Sequence, residues 1–219
     1  MNDAYGNGLG RLHKEDWNDL RYMAGPVLEP MRSTRRSYRY WFQNGWWGDQ
    51  NGYPQCVAYA FVHILEDGPV TRKGTSPVVD PAWLYGKCKQ RDGAPNEDGT
   101  YGRVAAQILK EMGLISAYRW GMNMEDIRVA ALEHSPIAMG TNWYRGMSDP
   151  LNGVMRLTGP IEGGHEWVIN GYNSKRALYR IKNSWGKGWS KGGNAWIQEE
   201  DLERLLMREA GDACIVTEI

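Results

Sequence analysis

The chain has 219 residues, 42% of them hydrophobic, and its 26 Lys and Arg balance its 26 Asp and Glu. That length and composition suffice for a core without staples, in one large domain or two small ones sharing an interface. Zero net charge gives no electrostatic footprint for nucleic acid or for an anionic membrane surface, so neither is expected as a partner. The first thirty residues hold Asp3, Lys14, Glu15 and Asp16 without an apolar core segment, and no run reaches transmembrane length, so neither a signal peptide nor a membrane span is expected. Cys56, Cys88 and Cys214 form neither a disulfide framework nor a clustered metal site. No metal or cofactor is expected, and a reducing, cytoplasmic location is the simpler assumption, with a Cys88–Cys214 pair left open for an oxidising one. Eleven Trp and twelve Tyr against two Phe favour rings with a polar handle, which suit half-buried grooves.

Residues 1–40 mix Gly, Pro and charge without periodicity and read as an extended surface arm, its basic tract at 31–40 included. Residues 41–219 read as the folded domain, mainly helical over 41–135 and mainly β over 136–219. A Gly-, Asn- and Pro-punctuated loop from Gly48 runs into Cys56, and the apolar segment after it predicts a buried helix ending near Gly68. A turn-rich passage, 69–79, follows. Asp80-Pro81 supplies a cap and first-turn proline for a helix to about Cys88. Thr100 is read as the cap of an amphipathic helix carrying Val104, Ile108, Leu109 and Met112 and stopped at Gly113; Asn123 starts another, over Met124–Glu133. After Pro136 the pattern turns to strands, at 137–141, 167–172, 177–182, 194–198 and 214–218, with a short helix at 200–207. Helices followed by strands predict an α+β protein with a cleft between a helical and a sheet lobe.

Cys56 stands in the first turn of its helix, where unsatisfied N–H groups favour a thiolate; the stretch alone also admits a small buried hydrophobe. A nucleophile needs a base oriented by a third group. His63 lies about 10 Å along the axis from Cys56 and reads as a core or groove histidine; His13 lies in the arm, and His134 reads as a helix C-terminal cap. His165 follows Gly163-Gly164, which keep the approach open, and begins a strand. The hairpin turning at 173–175 brings Asn183 opposite the His165 end, where its amide can orient the imidazole and Trp185 can cover it from water. Glu166, on the other strand face, reads as structural.

Gln50 and Cys56 at a loop-to-helix junction, then Gly164-His165, then Asn183-Ser184-Trp185-Gly186-Lys187-Gly188-Trp189 together resemble the papain family of cysteine peptidases over roughly residues 41–198. The resemblance implies a two-lobe fold with the cysteine helix in one wall of the cleft and the histidine strand in the other. It implies Cys56 as nucleophile, His165 as general base and acid, Asn183 as the orienting group, and Gln50 with the Cys56 N–H as oxyanion donors. The substrate would be a peptide or protein, attacked through a thioester intermediate. Gly164 and Trp185 are expected to border it, and Gly99 stands in place of the family's pair of peptide-holding glycines.

Residues 53–58 read Tyr-Pro-Gln-Cys-Val-Ala, without the family's nearby structural cysteine or the tryptophan after the nucleophile. The interval from Cys56 to His165, 109 residues, is short for the family and implies trimmed loops. With only about forty residues ahead of the domain, no long inhibitory prosegment is expected, and activity would be limited by location or substrate choice. A cysteine amidase or transpeptidase acting on cell-wall peptide, and a silent peptide-binding module, are the competing readings.

Overall fold

The computed structural model describes residues 2–33, 35–41, 46–68 and 77–217; most of the turn-rich passage at 69–79 lies outside them. Helices are α1 (Gly25–Leu28), α2 (Cys56–Asp67), α3 (Pro81–Lys89), α4 (Gly102–Glu111), α5 (Met124–Val129), α6 (Arg145–Ser148) and α7 (Glu199–Glu203). Strands are β1 (Tyr38–Tyr40), β2 (Ala117–Trp120), β3 (Ile137–Tyr144), β4 (Ile161–Asn173), β5 (Leu178–Lys182), β6 (Asn194–Gln198) and β7 (Asp212–Thr217). They form one antiparallel sheet in the order β2-β7-β3-β4-β5-β6, with β1 also on β4. The fold is α+β, as the sequence predicts.

Alternation along the strands divides the interior. Ile137, Met139 and Trp143 of β3 face a core shared with Trp167, Ile169, Tyr179 and Ile181, whereas Ala138 and Val168 face a second core built on Phe61, Val62 and Ile64 of α2. α2 is apolar on nearly every face because it lies between the sheet and helices α3 and α4.

Local chemistry sets most boundaries. Asp80 accepts from the Ala82 N–H at 3.0 Å to open α3, and Asn123 accepts from Asp126 N–H at 2.9 Å to open α5. Thr100 does not cap α4. The helix begins at Gly102 without a side-chain cap, because the backbone of Thr100 is committed to the N-terminal segment, its N–H donating to Gly10 O at 2.9 Å and its carbonyl accepting from Leu12 N–H at 2.8 Å. β3 continues to Tyr144 and β4 starts at Ile161, both longer than periodicity suggested, because each completes the other's ladder.

At the far end of α2 from Cys56, Asp67 meets Lys182 of β5 at 2.8 Å, both side chains fully buried. Burial pushes the Asp67 carboxyl up and the Lys182 ammonium down, each restrained by the other's charge. Asn170 donates a further hydrogen bond to Asp67 at 3.2 Å. This pair ties the cysteine helix to the strand that runs into Asn183, and removing one partner strands the other without water. Asp67→Ala is therefore expected to lower stability by about 3–5 kcal/mol, read as a shifted guanidinium midpoint, whereas the double variant Asp67→Leu, Lys182→Met is expected to recover most of that loss.

Candidate active site

β4 and the segment after β5 carry the first part of the site. His165 Nε2 lies 2.8 Å from Asn183 Oδ1. The same oxygen accepts from the Ser184 N–H at 2.8 Å. A backbone N–H can only donate, so the atom facing the imidazole is the amide oxygen, and Nε2 must carry the proton. In the neutral ring Nδ1 then holds the lone pair, and Nδ1 has no hydrogen-bond partner among the described residues. The ring is walled by Trp143, edge-on at 4.6 Å between centroids, and by Trp185 at 4.9 Å. Trp143 was missed because the predicted strand stopped at 141; continuing the alternation from Ile137 through Met139 and Thr141 puts it on the His165 face.

Cys56 opens α2 directly after the Pro54-Gln55 loop, with no side-chain cap at Gln55. Its Sγ accepts from the N–H of Glu166, the residue after His165, at 3.4 Å. The thiol thus lies beside the backbone of the residue after His165, where the start of α2 touches β4. Gln50 is buried beside them: its Nε2 donates to Gly8 O at 3.0 Å and to Tyr53 O, and its Oε1 accepts from the Ser184 hydroxyl. The Ser184 hydroxyl and two carbonyls fix which end of the Gln50 amide is the donor. Ser184, adjacent to Asn183, is a second residue the sequence reading did not single out.

The arm expected on the surface is partly buried, and its residues 8–11 run through the cleft. Asp3 closes a turn by accepting from the N–H groups of Tyr5 and Asn7 at 2.9 and 2.8 Å, and the Ser148 hydroxyl, itself bonded to Trp143 Nε1 at 2.8 Å, holds Asp3 against the β side. From there Gly8-Leu9-Gly10 lies across the thiol. Arg11 N–H donates to Gly164 O at 3.0 Å, and Arg11 forms a parallel bridge with Thr100 beside Gly99. Gly8 and Gly10 have to be glycine, since a Cβ on either would collide with the carbonyl of Tyr53 or Pro54; one on Gly99 would collide with Gly10, and one on Gly164 with the Arg11 carbonyl. Leu9 is buried in the core that contains Trp143 and Trp185. All seven predicted site residues, Gln50, Cys56, Gly99, Gly164, His165, Asn183 and Trp185, therefore gather around one segment of backbone.

That segment reverses the expected charge state. Burial, the largest effect, pushes the Cys56 thiol up to about 12, against hydrogen bonds from the N–H groups of Glu166 and Gly10. Burial also lowers His165 to about 4, despite the Asn183 hydrogen bond and the nearby Asp3 carboxylate. Covered by the arm, the pair is thiol and neutral imidazole rather than thiolate and imidazolium. Sγ meets the N–H groups of Glu166 of β4 and Gly10 of the arm. A cavity of about 360 Å³ lies farther along, lined by Leu12, Trp17, Tyr101, Trp120 and Asp212 among others, without reaching Cys56 or His165. Cys88 and Cys214 are buried and unpaired.

The family model for "Papain family cysteine protease" matches residues 48–210. No curated protein sequence matches the chain. Among solved structures, xylellain, a cysteine protease from Xylella fastidiosa, is similar at 15% identity over 100% of this chain and 98% of its own, with a TM-score of 0.77. Digestive procathepsin L2 proteinase from Tenebrio molitor larval midgut is similar at 16% identity over 97% of this chain and 78% of its own, TM-score 0.71. The bromelain protease from Ananas comosus is similar at 14% identity over 84% of this chain and 100% of its own, TM-score 0.64. At these identities the likeness to the solved structures is one of fold.

Two outcomes are expected from the covered thiol. Replacing Gly10 by Ala in the full chain, which forces the arm off Pro54, should raise the rate of Cys56 alkylation at pH 7 by at least about tenfold, measured by mass spectrometry on the Cys56 peptide. The pH dependence follows from the two shifts. His165 lies below its ordinary 6.5, so the covered form is fully stable above 6.5 and weakens as the pH falls toward about 4. Cys56 lies above its ordinary 9.0, so the covered form is fully stable below 9.0 and weakens as the pH rises toward about 12. The His165 gap alone is worth roughly 3 kcal/mol. Cys56 of the unaltered chain should therefore be least accessible between pH 6.5 and 9, and its alkylation should accelerate at least about tenfold between pH 7 and 4.5.

Proposed function

From the premise that this chain belongs to the papain family of cysteine proteases, we propose how its own residues divide the work of a cysteine peptidase. Cys56 is the nucleophile and His165 the base and acid. With the arm displaced, water and substrate reach the pair, and the proton on Sγ passes to His165 Nδ1, the nitrogen left free by the Asn183 bond at Nε2. The thiolate attacks a peptide carbonyl. Its oxygen takes the position now held by the Gly8 carbonyl, where Gln50 Nε2 and the Cys56 N–H can donate to the developing charge. The imidazolium returns its proton to the leaving amine, and water, deprotonated by the same nitrogen, hydrolyses the thioester. Asn183 keeps the ring in the one tautomer that serves these steps, and Trp185 and Trp143 exclude water from its far side. Gly99 and Gly164 let the substrate backbone approach closely, as they now do for residues 10 and 11.

The observation that carries this assignment is the arm itself: a carbonyl on Gln50 Nε2 and an extended backbone bonded to Thr100 and Gly164 occupy the positions a bound peptide would need. In this reading the chain as folded is a self-blocked form. We also infer a reducing, cytoplasmic location from the three unpaired cysteines; among the described residues no helix is long and apolar enough to cross a membrane. Cell fractionation that recovers the chain outside the cytoplasm would overturn the location.

The function is tested on the full-length Gly10→Ala chain with an unfolded protein, short fluorogenic peptides and peptidoglycan. Peptide and protein cleavage is expected. Adding Cys56→Ala should cost at least about a thousandfold, and adding Gln50→Ala about 10²–10³-fold in kcat. Cleavage of peptidoglycan alone would contradict the peptidase assignment.

A further inference from the structure

The sequence reads Glu166 as structural, on the strand face opposite the imidazole. Its backbone serves the thiol, yet its carboxylate is fully buried and neither oxygen has a hydrogen-bond partner among the described residues. A buried carboxylate without a partner is costly and calls for an explanation in terms of what it faces. The register supplies one. Gly140 of β3 pairs with Glu166 of β4 on one side and with Asp212 of β7 on the other. Residues directly opposite across antiparallel strands project from the same face, so the two carboxylates rise side by side with no side chain between them. A Cβ on Gly140 would lie 2.8 Å from Glu166 Oε2 and 2.7 Å from Asp212 Oδ1, and one on Gly102 would lie 3.2 Å from Glu166 Oε1. Two positions without side chains thus leave room above a pair of acids.

The room is filled by the guanidinium of Arg11, the arm residue next to the segment that covers Cys56. Arg11 Nη2 pairs with Asp212 and donates to the Ala210 carbonyl at 2.9 Å, and it lies 2.8 Å from His13 Nδ1; Arg11 Nε would stand 2.6 Å from the same Gly140 Cβ and has no partner of its own. The Arg11 side chain is only 4% exposed. Burial first, and the Asp212 charge second, push Glu166 well above the usual carboxylate range, with Arg11 acting against them. Burial would also raise Asp212, but His13 and Arg11 outweigh it and hold Asp212 below that range.

We propose that Glu166, Asp212 and the Ala210 carbonyl, kept open by Gly140 and Gly102, form a side-chain pocket that selects arginine in the peptide substrate, and that Arg11 occupies it in the covered form. The proposal rests on the peptidase assignment and adds a substrate class to it. Its physical basis is the geometry of the acceptors: the Asp212 carboxylate and the Ala210 carbonyl receive the Arg11 N–H donors, with the Glu166 carboxyl facing the same space from across β3, an arrangement that a lysine ammonium matches less well than a planar guanidinium and an uncharged side chain not at all. A neutral occupant would take from Asp212 its guanidinium partner and leave it only His13, at 3.5 Å.

Two experiments test it. In the first, Cys56 alkylation is followed at pH 7 in full chains carrying Arg11→Lys or Arg11→Leu. The Leu variant should react at least about tenfold faster than the parent and the Lys variant at an intermediate rate; equal rates in Leu and Lys variants would overturn the preference for a cation. In the second, the full-length Gly10→Ala, Arg11→Ala chain, with its pocket vacated, is given peptides holding Arg, Lys, citrulline or Leu at each position in turn. At one position Arg should exceed citrulline, its uncharged isostere, by at least about tenfold in kcat/KM, and Asp212→Asn should bring that ratio close to one. Cleavage with no Arg preference at any position overturns the pocket and leaves the peptidase assignment intact. If no peptide is cleaved, the peptidase assignment fails, and the alkylation series decides alone whether the pocket selects a cation.

Discussion

A single amide oxygen fixes the chemistry available to this molecule. Asn183 Oδ1 is claimed on one side by the Ser184 N–H and on the other by His165 Nε2. Because the first donor is backbone and cannot reverse its role, the second must donate too, and the imidazole is left with its basic nitrogen free. The supports of that oxygen run through the fold: β5 delivers residue 183 beside β4, the buried Asp67–Lys182 pair anchors β5 to the cysteine helix, and the Ser184 hydroxyl reaches across to Gln50. The base, the oxyanion donor and the nucleophile's helix are thus mechanically one unit.

What this unit does depends on water. The same groups that would hold a thiolate–imidazolium pair in a hydrated cleft hold two neutral groups under Gly8-Leu9-Gly10, because removing solvent penalises both charges at once. The arm achieves this with backbone rather than with a competing acid or base. Its glycines let the backbone come close enough to serve the sulfur and Gln50, Leu9 seals the core side, and Arg11 pairs with Asp212 on the helix side of the sheet. The covering segment is therefore also a record of the cleft's shape, with an extended chain between Thr100 and Gly164 and a cationic side chain between Glu166 and Asp212.

Much of the site was legible because its determinants are local. The loop-to-helix change at Cys56, the capped start of α3 and the hairpin that brings Asn183 to His165 are all short-range patterns, and β6 was read to its observed ends. The path of the arm was not legible, since its contacts are mostly main-chain hydrogen bonds and close glycine approaches that leave no side-chain periodicity; the alternation of glycine around Leu9 was its only trace. Thr100 was read as a helix cap for the same reason: its true partners lie ninety residues upstream. The acidic pair needed the register of β7 against β3, which joins residues 140 and 212, and no local pattern reports a pairing of that range. Glu166 was rightly read as facing away from the imidazole's side of the strand, and it is that second face that carries the pocket.

The central claim is that the arm, by excluding water, holds His165 neutral and Cys56 protonated. Nitrogen NMR of the imidazole in the full chain and in its Gly10→Ala variant measures this directly. The full chain should show a ring protonated only at Nε2 down to nearly pH 4, and the variant an imidazolium that persists to neutral pH. An imidazolium at pH 7 in the unaltered chain, or a neutral ring in both, would contradict the account.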